Sequence, residues 1–122
     1  MVMFDANMIL RYLLYDNKEM ADKAEEYLST RNVTVTIEVI AEVIYVLKGV
    51  YSIKREEIAE KIKLFLDFVD CQKKSILYLA IDAFGKNNLD FIDCVLYAYH
   101  VKEGIEIATF DKKLLKLLRT NQ

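Results

Sequence analysis

The sequence predicts an α/β fold: a three-layer α/β/α sandwich around a central, mostly parallel sheet of four strands, with a fifth left open. Three observations lead there. Short apolar or β-branched runs alternate with longer stretches of helical periodicity, the pattern of strand–crossover–strand units. Three glycines and no proline in 122 residues leave little material for a many-turned sandwich or barrel. A composition 54% apolar and 30% charged is that of a chain that buries a sizeable core, at a length suited to one domain over 1–122.

The first strand is predicted over Met1–Phe4, whose four apolar residues suit a strand buried on both faces. Asp5-Ala6-Asn7 ends it abruptly, and a short helix follows over Asn7–Tyr15. Asp16 and Glu19 have the spacing of a capping box for a helix over Lys18–Ser29, with Met20, Ala24, Tyr27 and Leu28 inward. Val33–Thr36 is a β-branched strand, expected to pair in parallel with the first through a right-handed crossover.

Ile37–Lys48 follows helical spacing through Ile37, Ile40, Ala41, Ile44 and Leu47, has Glu38 and Glu42 on the opposite side, and stops at Gly49. A helix over Lys54–Phe68 turns Ile58, Ile62, Phe65, Leu66 and Val69 inward, and Val69–Cys71 forms a short third strand. Ser75 caps a helix running to Phe84, and Gly85-Lys86-Asn87-Asn88 is a turn. The next helix, Asp90–Glu103, presents Phe91, Ile92, Val95, Leu96 and Tyr99 inward and closes at Gly104. Ile105–Phe110 is the fourth strand, ended by Asp111, and Lys112–Leu118 is a last helix.

A formal charge of −2 and a pI near 5.5 give no global electrostatic footprint for nucleic acid, although a local basic rim around an acidic site is compatible with them. Cys71 and Cys94 are far apart in apolar settings and read as buried free thiols in a reducing cytosol. No apolar run approaches the ~18–20 residues of a membrane span, so a cytoplasmic protein is expected.

The chemistry lies in the acids. In open parallel sheets, ligand chemistry gathers beyond the C-terminal strand ends. Asp5 and Asp111 each end a predicted strand, Asp93 lies in the first turn of the helix before the fourth strand, and Glu42 lies on the helix after the second. At one sheet edge these carboxylates would repel each other unless a cation held them. Hard oxygen ligands suit Mg²⁺ or Mn²⁺ and hence metal-assisted phosphoryl chemistry. Each acid also has an ordinary explanation: Asp111 and Asp90 as helix caps, Asp93 as a macrodipole partner, Glu38 and Glu42 as a solvated face. Asp5 has the weakest of these, since no long helix is predicted to start there.

Met3-Phe4-Asp5-Ala6-Asn7, Ile40-Ala41-Glu42 through Leu47, Leu89-Asp90-Phe91-Ile92-Asp93-Cys94 through Ala98, and Ala108-Thr109-Phe110-Asp111-Lys112 together resemble the four acidic motifs of PIN (PilT N-terminus) domains, most closely the VapC-type toxins. The resemblance covers nearly the whole chain. It implies a Mg²⁺- or Mn²⁺-dependent endoribonuclease with Asp5, Glu42, Asp93 and Asp111 as catalytic metal ligands, and Asn7 and Thr109 as polar support. It further implies a homodimer restrained by a cognate antitoxin, with RNA as substrate. Relatives commonly carry a fifth strand after the last helix, where this chain ends at Arg119-Thr120-Asn121-Gln122.

Other residues carry weaker signals. Arg11 is expected near the site entrance, and Lys73, Lys74, Lys112, Lys113, Lys116 and Arg119 could guide phosphate, although exposed helical lysines are usually only solvated. Tyr12, Tyr15, Tyr45 and Tyr97 could stack on bases or simply pack. His100 follows Asp93 by two helical turns, ~10 Å, and reads as structural. The competing functions are a non-toxin PIN nuclease of RNA processing, a non-catalytic binding module of the same fold, and a phosphatase using Asp5 covalently. Asn7 counts against the last, which wants a second acid at that position.

Overall fold

The computed structural model describes residues 1–120. Its elements run β1 (Val2–Met3), α1 (Ala6–Leu14), α2 (Lys18–Thr30), β2 (Val33–Thr34), α3 (Ile37–Gly49), α4 (Arg55–Leu66), α5 (Lys74–Lys86), α6 (Phe91–Glu103) and α7 (Lys112–Arg119). As expected, β1 and β2 pair in parallel, Val2 opposite Val33 and Met3 opposite Thr34. Asp70 extends the pairing by one parallel bridge to Thr34, so the third predicted strand is reduced to a single residue.

The four-stranded sheet does not form among the described residues. The N–H groups of Val2 and Phe4 donate toward the β2 side, to the Asn32 and Thr34 carbonyls. The far edge of β1, with Met3 exposed, remains open. Ile105–Phe110, predicted as the fourth strand, forms none; Ile107 and Thr109 are half-buried while Glu106, Ala108 and Phe110 are exposed. That period-two burial survives without ladder hydrogen bonds, because a strand needs an edge as well as an alternating sequence. The segment is instead held at its ends: the Ile105 carbonyl lies 2.8 Å from His100 Nδ1, and the Asp111 N–H donates to Thr109 Oγ1 at 3.0 Å. Any fifth strand beyond α7 would fall on Asn121 and Gln122, outside the described residues.

Helices therefore supply most of the core. α1 packs on α2 and α3, α3 on α4 and α6, and α5 lies between α4 and α6, with α7 against α6. The α4 stripe of Ile58, Ile62, Phe65 and Leu66 is buried as its spacing predicts. On α6 the inward face is Phe91, Cys94, Val95, Tyr97 and Ala98, so Ile92 is turned outward and Leu96 and Tyr99 are half-buried, contrary to expectation. On α2, Ala21 and Ala24 are buried and Met20 is exposed. Cys71 and Cys94 are free thiols, as expected, but only Cys94 is buried and Cys71 is half-buried.

Local signals explain several boundaries. The Asp16–Glu19 capping box does not form: Asn17 caps α2 by accepting from Met20 N–H at 3.0 Å, and Asp16 is taken by Arg11. Ser75 is not a cap either; α5 starts one residue earlier, after Lys73 in a left-handed conformation (φ 55°). At its other end α5 runs through Gly85 to Lys86 instead of stopping at Phe84. There a Cβ on Gly85 would come within 2.9 Å of Ala59 Cβ, so glycine is what permits α4 and α5 to approach. Gly104, at φ 68°, closes α6 in the left-handed conformation that glycine adopts without strain.

Candidate active site

Two of the acids, Asp5 and Asp111, are helix caps, and the other two, Glu42 and Asp93, lie within helices. Asp5 follows β1 and caps α1, one carboxylate oxygen accepting from Met8 N–H at 2.9 Å. A helix does begin at Asp5, then, and this acid has the structural role that its sequence setting conceals. Asp111 caps α7 in the same way, accepting from Leu114 N–H at 2.8 Å, and the Thr109 hydroxyl fixes the Asp111 backbone. In both residues the second carboxylate oxygen makes no hydrogen bond among the described residues.

Asp90 occupies the N-cap position of α6 but accepts no capping hydrogen bond, so the capping role expected of it is not filled by its side chain. Asp93, in the first turn of α6, is partly buried. Burial raises the pKa of its carboxyl above the usual carboxylate range, and the nearby charges of Asp111 and Asp90 push it the same way. This is the electrostatic signature of acids facing one another without a counter-charge. Glu42 is exposed on α3 and, like Asn7 at the start of α1, makes no hydrogen bond or ion pair through its side chain among the described residues.

The charges of Asp111 and of Asp90 thus each reach Asp93. Among the described residues no three His, Cys, Asp or Glu side chains are grouped closely enough to share one ion. Asp5 and Glu42 do not complete a preformed four-carboxylate cage. The donor set nevertheless fits a small hard cation, since Mg²⁺ is commonly held by one or two carboxylates and keeps several waters. Asp93 and Asp111 are residues that could contribute to holding it.

Arg11 is engaged by another acid. It lies toward the far end of α1 from Asp5 and forms an ion pair with Asp16 at 2.7 Å. Tyr51, and Asp16 after it, favour its charged form, while its Nε is buried without a hydrogen-bond partner among the described residues. His100 is occupied with the Ile105 carbonyl, and Lys73 pairs with Glu103 at 2.7 Å. Tyr12 packs against Phe65, Tyr15 donates to Asp22 and Glu25, and Tyr97 is buried; Tyr45 is 77% exposed.

One contributor escaped the sequence. Arg55, the first residue of α4, donates through Nη1 to the carbonyls of Phe84, Asn87 and Leu89 at 3.3, 2.8 and 2.6 Å, and its guanidinium stacks on the Phe84 ring at 4.3 Å. It ties down the turn that leads into Asp90 and Asp93. The available signal is an arginine at a helix N-terminus, where the macrodipole disfavours a cation unless it has other work.

Beside the acids lies a concavity of about 540 Å³ between α3 and the start of α6, lined by Ala41, Tyr45, Lys48, Asp90, Ile92 and Asp93 among others. The two acids at the start of α6 and the open groove they line make a site at which a polyanion and a cation could meet. A model of the PIN domain family matches residues 2–119. The chain belongs to the PIN domain family. No curated protein and no solved structure gives a significant match. PIN domains are generally nucleases that bind nucleic acid and typically use divalent metal ions. The match spans all four acids of this PIN domain. None of its described helices is long and apolar enough to cross a membrane.

Proposed function

We propose that this PIN domain is a Mg²⁺- or Mn²⁺-dependent endoribonuclease, acting as the toxin of a toxin–antitoxin module. The observation that carries the reading is Asp93, partly buried in the first turn of α6 beside an open groove and acted on by the charges of Asp111 and Asp90, inside a family of nucleases.

When bound, the ion supplies neutralisation of the phosphate's developing negative charge and acidifies a water. The chain's own part is positional. Asp93 and Asp111 hold the cation, and the Asp111 cap and Thr109 hydroxyl keep that carboxylate from turning away. Asp5 and Glu42 are the further acids of the proposed site. Asp5, fixed to α1 through one oxygen, has the other to accept a proton from the attacking water as the phosphodiester bond breaks. Asn7, in the same first turn, can donate to a phosphate oxygen.

The deciding experiment is digestion of an RNA pool by purified protein with Mg²⁺, with Mn²⁺ and with EDTA, alongside Asp93→Asn. Metal-dependent cuts lost in the variant support the reading; cleavage unchanged by EDTA and by Asp93→Asn sinks it. The toxin role carries its own test: induced expression should arrest growth, and a small neighbouring reading frame should encode a protein that binds the chain and relieves the arrest. A homodimer is expected by light scattering.

A further inference from the structure

We propose that the substrate strand is held by a cationic band running from the acidic groove over the α5–α6 turn to α7, with Lys48, Lys54, Lys86, Lys113 and Lys116 binding its phosphates. This rests on the nuclease reading and gives that site a substrate path.

Three concavities adjoin one another. The acidic groove shares Lys48 and Arg55 with a second, of about 510 Å³, that is also lined by Lys54, Lys86, Asn87 and Asn88. The second shares Asn87 and Asn88 with a third, of about 250 Å³, lined by Lys113 and Lys116 of α7. Residues 87–88 therefore form a saddle between the acids and α7. Arg55 fixes this saddle by donating to the Asn87 and Leu89 carbonyls, which makes it a positioning residue whose own charge is turned inward.

Charge follows the same course. The chain is net negative, yet among the described residues the third concavity has no acid in its lining and the second has only Glu56. All five lysines are exposed, and none makes an ion pair or side-chain hydrogen bond among the described residues. Lys18, Lys63 and Lys73, by contrast, are paired with Asp22, Asp82 and Glu103, while Lys61, Lys102 and Lys112 are unpaired but line none of these three concavities. An ammonium with no internal partner keeps its full attraction for phosphate, and neutralising each phosphate releases condensed counterions. Loose charges alone do not choose a ligand, but a continuous cationic concavity leading to an acid pair fits a phosphodiester chain whose scissile group lies at the acids. In the first groove Tyr45, 77% exposed, offers a ring on which a base can stack.

The test is binding of a short labelled single-stranded RNA by the full chain in EDTA, where no cleavage occurs, measured by fluorescence anisotropy over a range of salt. Lys86→Glu/Lys113→Glu should weaken binding about tenfold or more and reduce the slope of log K against log salt by roughly 1.4, about 0.7 for each phosphate left without its lysine. Lys61→Glu/Lys102→Glu, with the same charge change on lysines outside the band, should bind as the wild type does; circular dichroism verifies the fold of both. Wild-type binding that survives unchanged in Lys86→Glu/Lys113→Glu, or falls equally in the control pair, overturns the band and leaves the nuclease reading standing. Absence of wild-type binding overturns both.

Discussion

The Arg55 guanidinium donates to the Leu89 carbonyl at 2.6 Å, across the gap between the start of α4 and the residue that precedes Asp90. A single side chain from a distant helix thereby sets where the acidic first turn of α6 begins. Arg55→Ala should lower stability by about 2–3 kcal/mol, because three carbonyls are deprived of a charged donor and the Phe84 ring of its stacked cation. Arg55→Lys keeps the charge but not the planar stack and should recover only part of this. Denaturant melts measure the stability, and Mn²⁺ titration of the still-folded Lys variant should show weakened metal binding if the turn places the acids.

Asp5 and Asp111 each do two jobs, and asparagine separates them. Asn is as good an N-cap as Asp, so Asp5→Asn and Asp111→Asn should keep the bonds to Met8 and Leu114 N–H and melt within about 0.5 kcal/mol of the wild type. A fall in metal-dependent RNA cleavage by about a hundredfold or more in variants of such stability would assign the acids to chemistry. Alanine at either position confounds the two, since removing the cap alone costs about 1 kcal/mol.

These caps also explain what is legible in the chain. Asp5, Asp93 and Asp111 stand out because strand ends and helix starts are local features, and the parallel β1–β2 pair follows from β-branched residues flanking a helical crossover. Ile105–Phe110 misleads because alternation is local but a sheet edge is not: the open side of β1 and this segment must also meet in register. The α6 face resists reading because Ile92, Cys94, Leu96, Tyr97 and Ala98 spread apolar character around the helix, leaving periodicity little to select. Arg55 acts through carbonyls up to 34 residues away, a relationship no local pattern contains.

Asp93 gives a pH signature. Its carboxyl is raised in the folded state, so the native protein holds this proton more tightly than the unfolded chain does. From the ordinary carboxylate range up to the raised value, stability should therefore fall as pH rises, and the penalty is complete at neutral pH. In EDTA, Asp93→Asn should melt higher than the wild type at pH 7, with the advantage disappearing in acid below the ordinary carboxylate range. Added Mg²⁺ should raise the wild-type Tm and leave Asp93→Asn unmoved, because only a protein that binds the ion gains from it.

Gly85 tests the packing beneath the cationic saddle. With 2.9 Å between its virtual Cβ and Ala59 Cβ, any side chain must push α5 off α4 or distort the last turn before Asn87. Gly85→Val should cost about 2–3 kcal/mol as overpacking outweighs the small gain in helix propensity. Shrinking the partner in Gly85→Val/Ala59→Gly should recover part of that cost despite a second glycine in a helix. A double-mutant cycle by urea denaturation measures the coupling. Additive costs would mean that the two helices do not meet at Gly85 and Ala59.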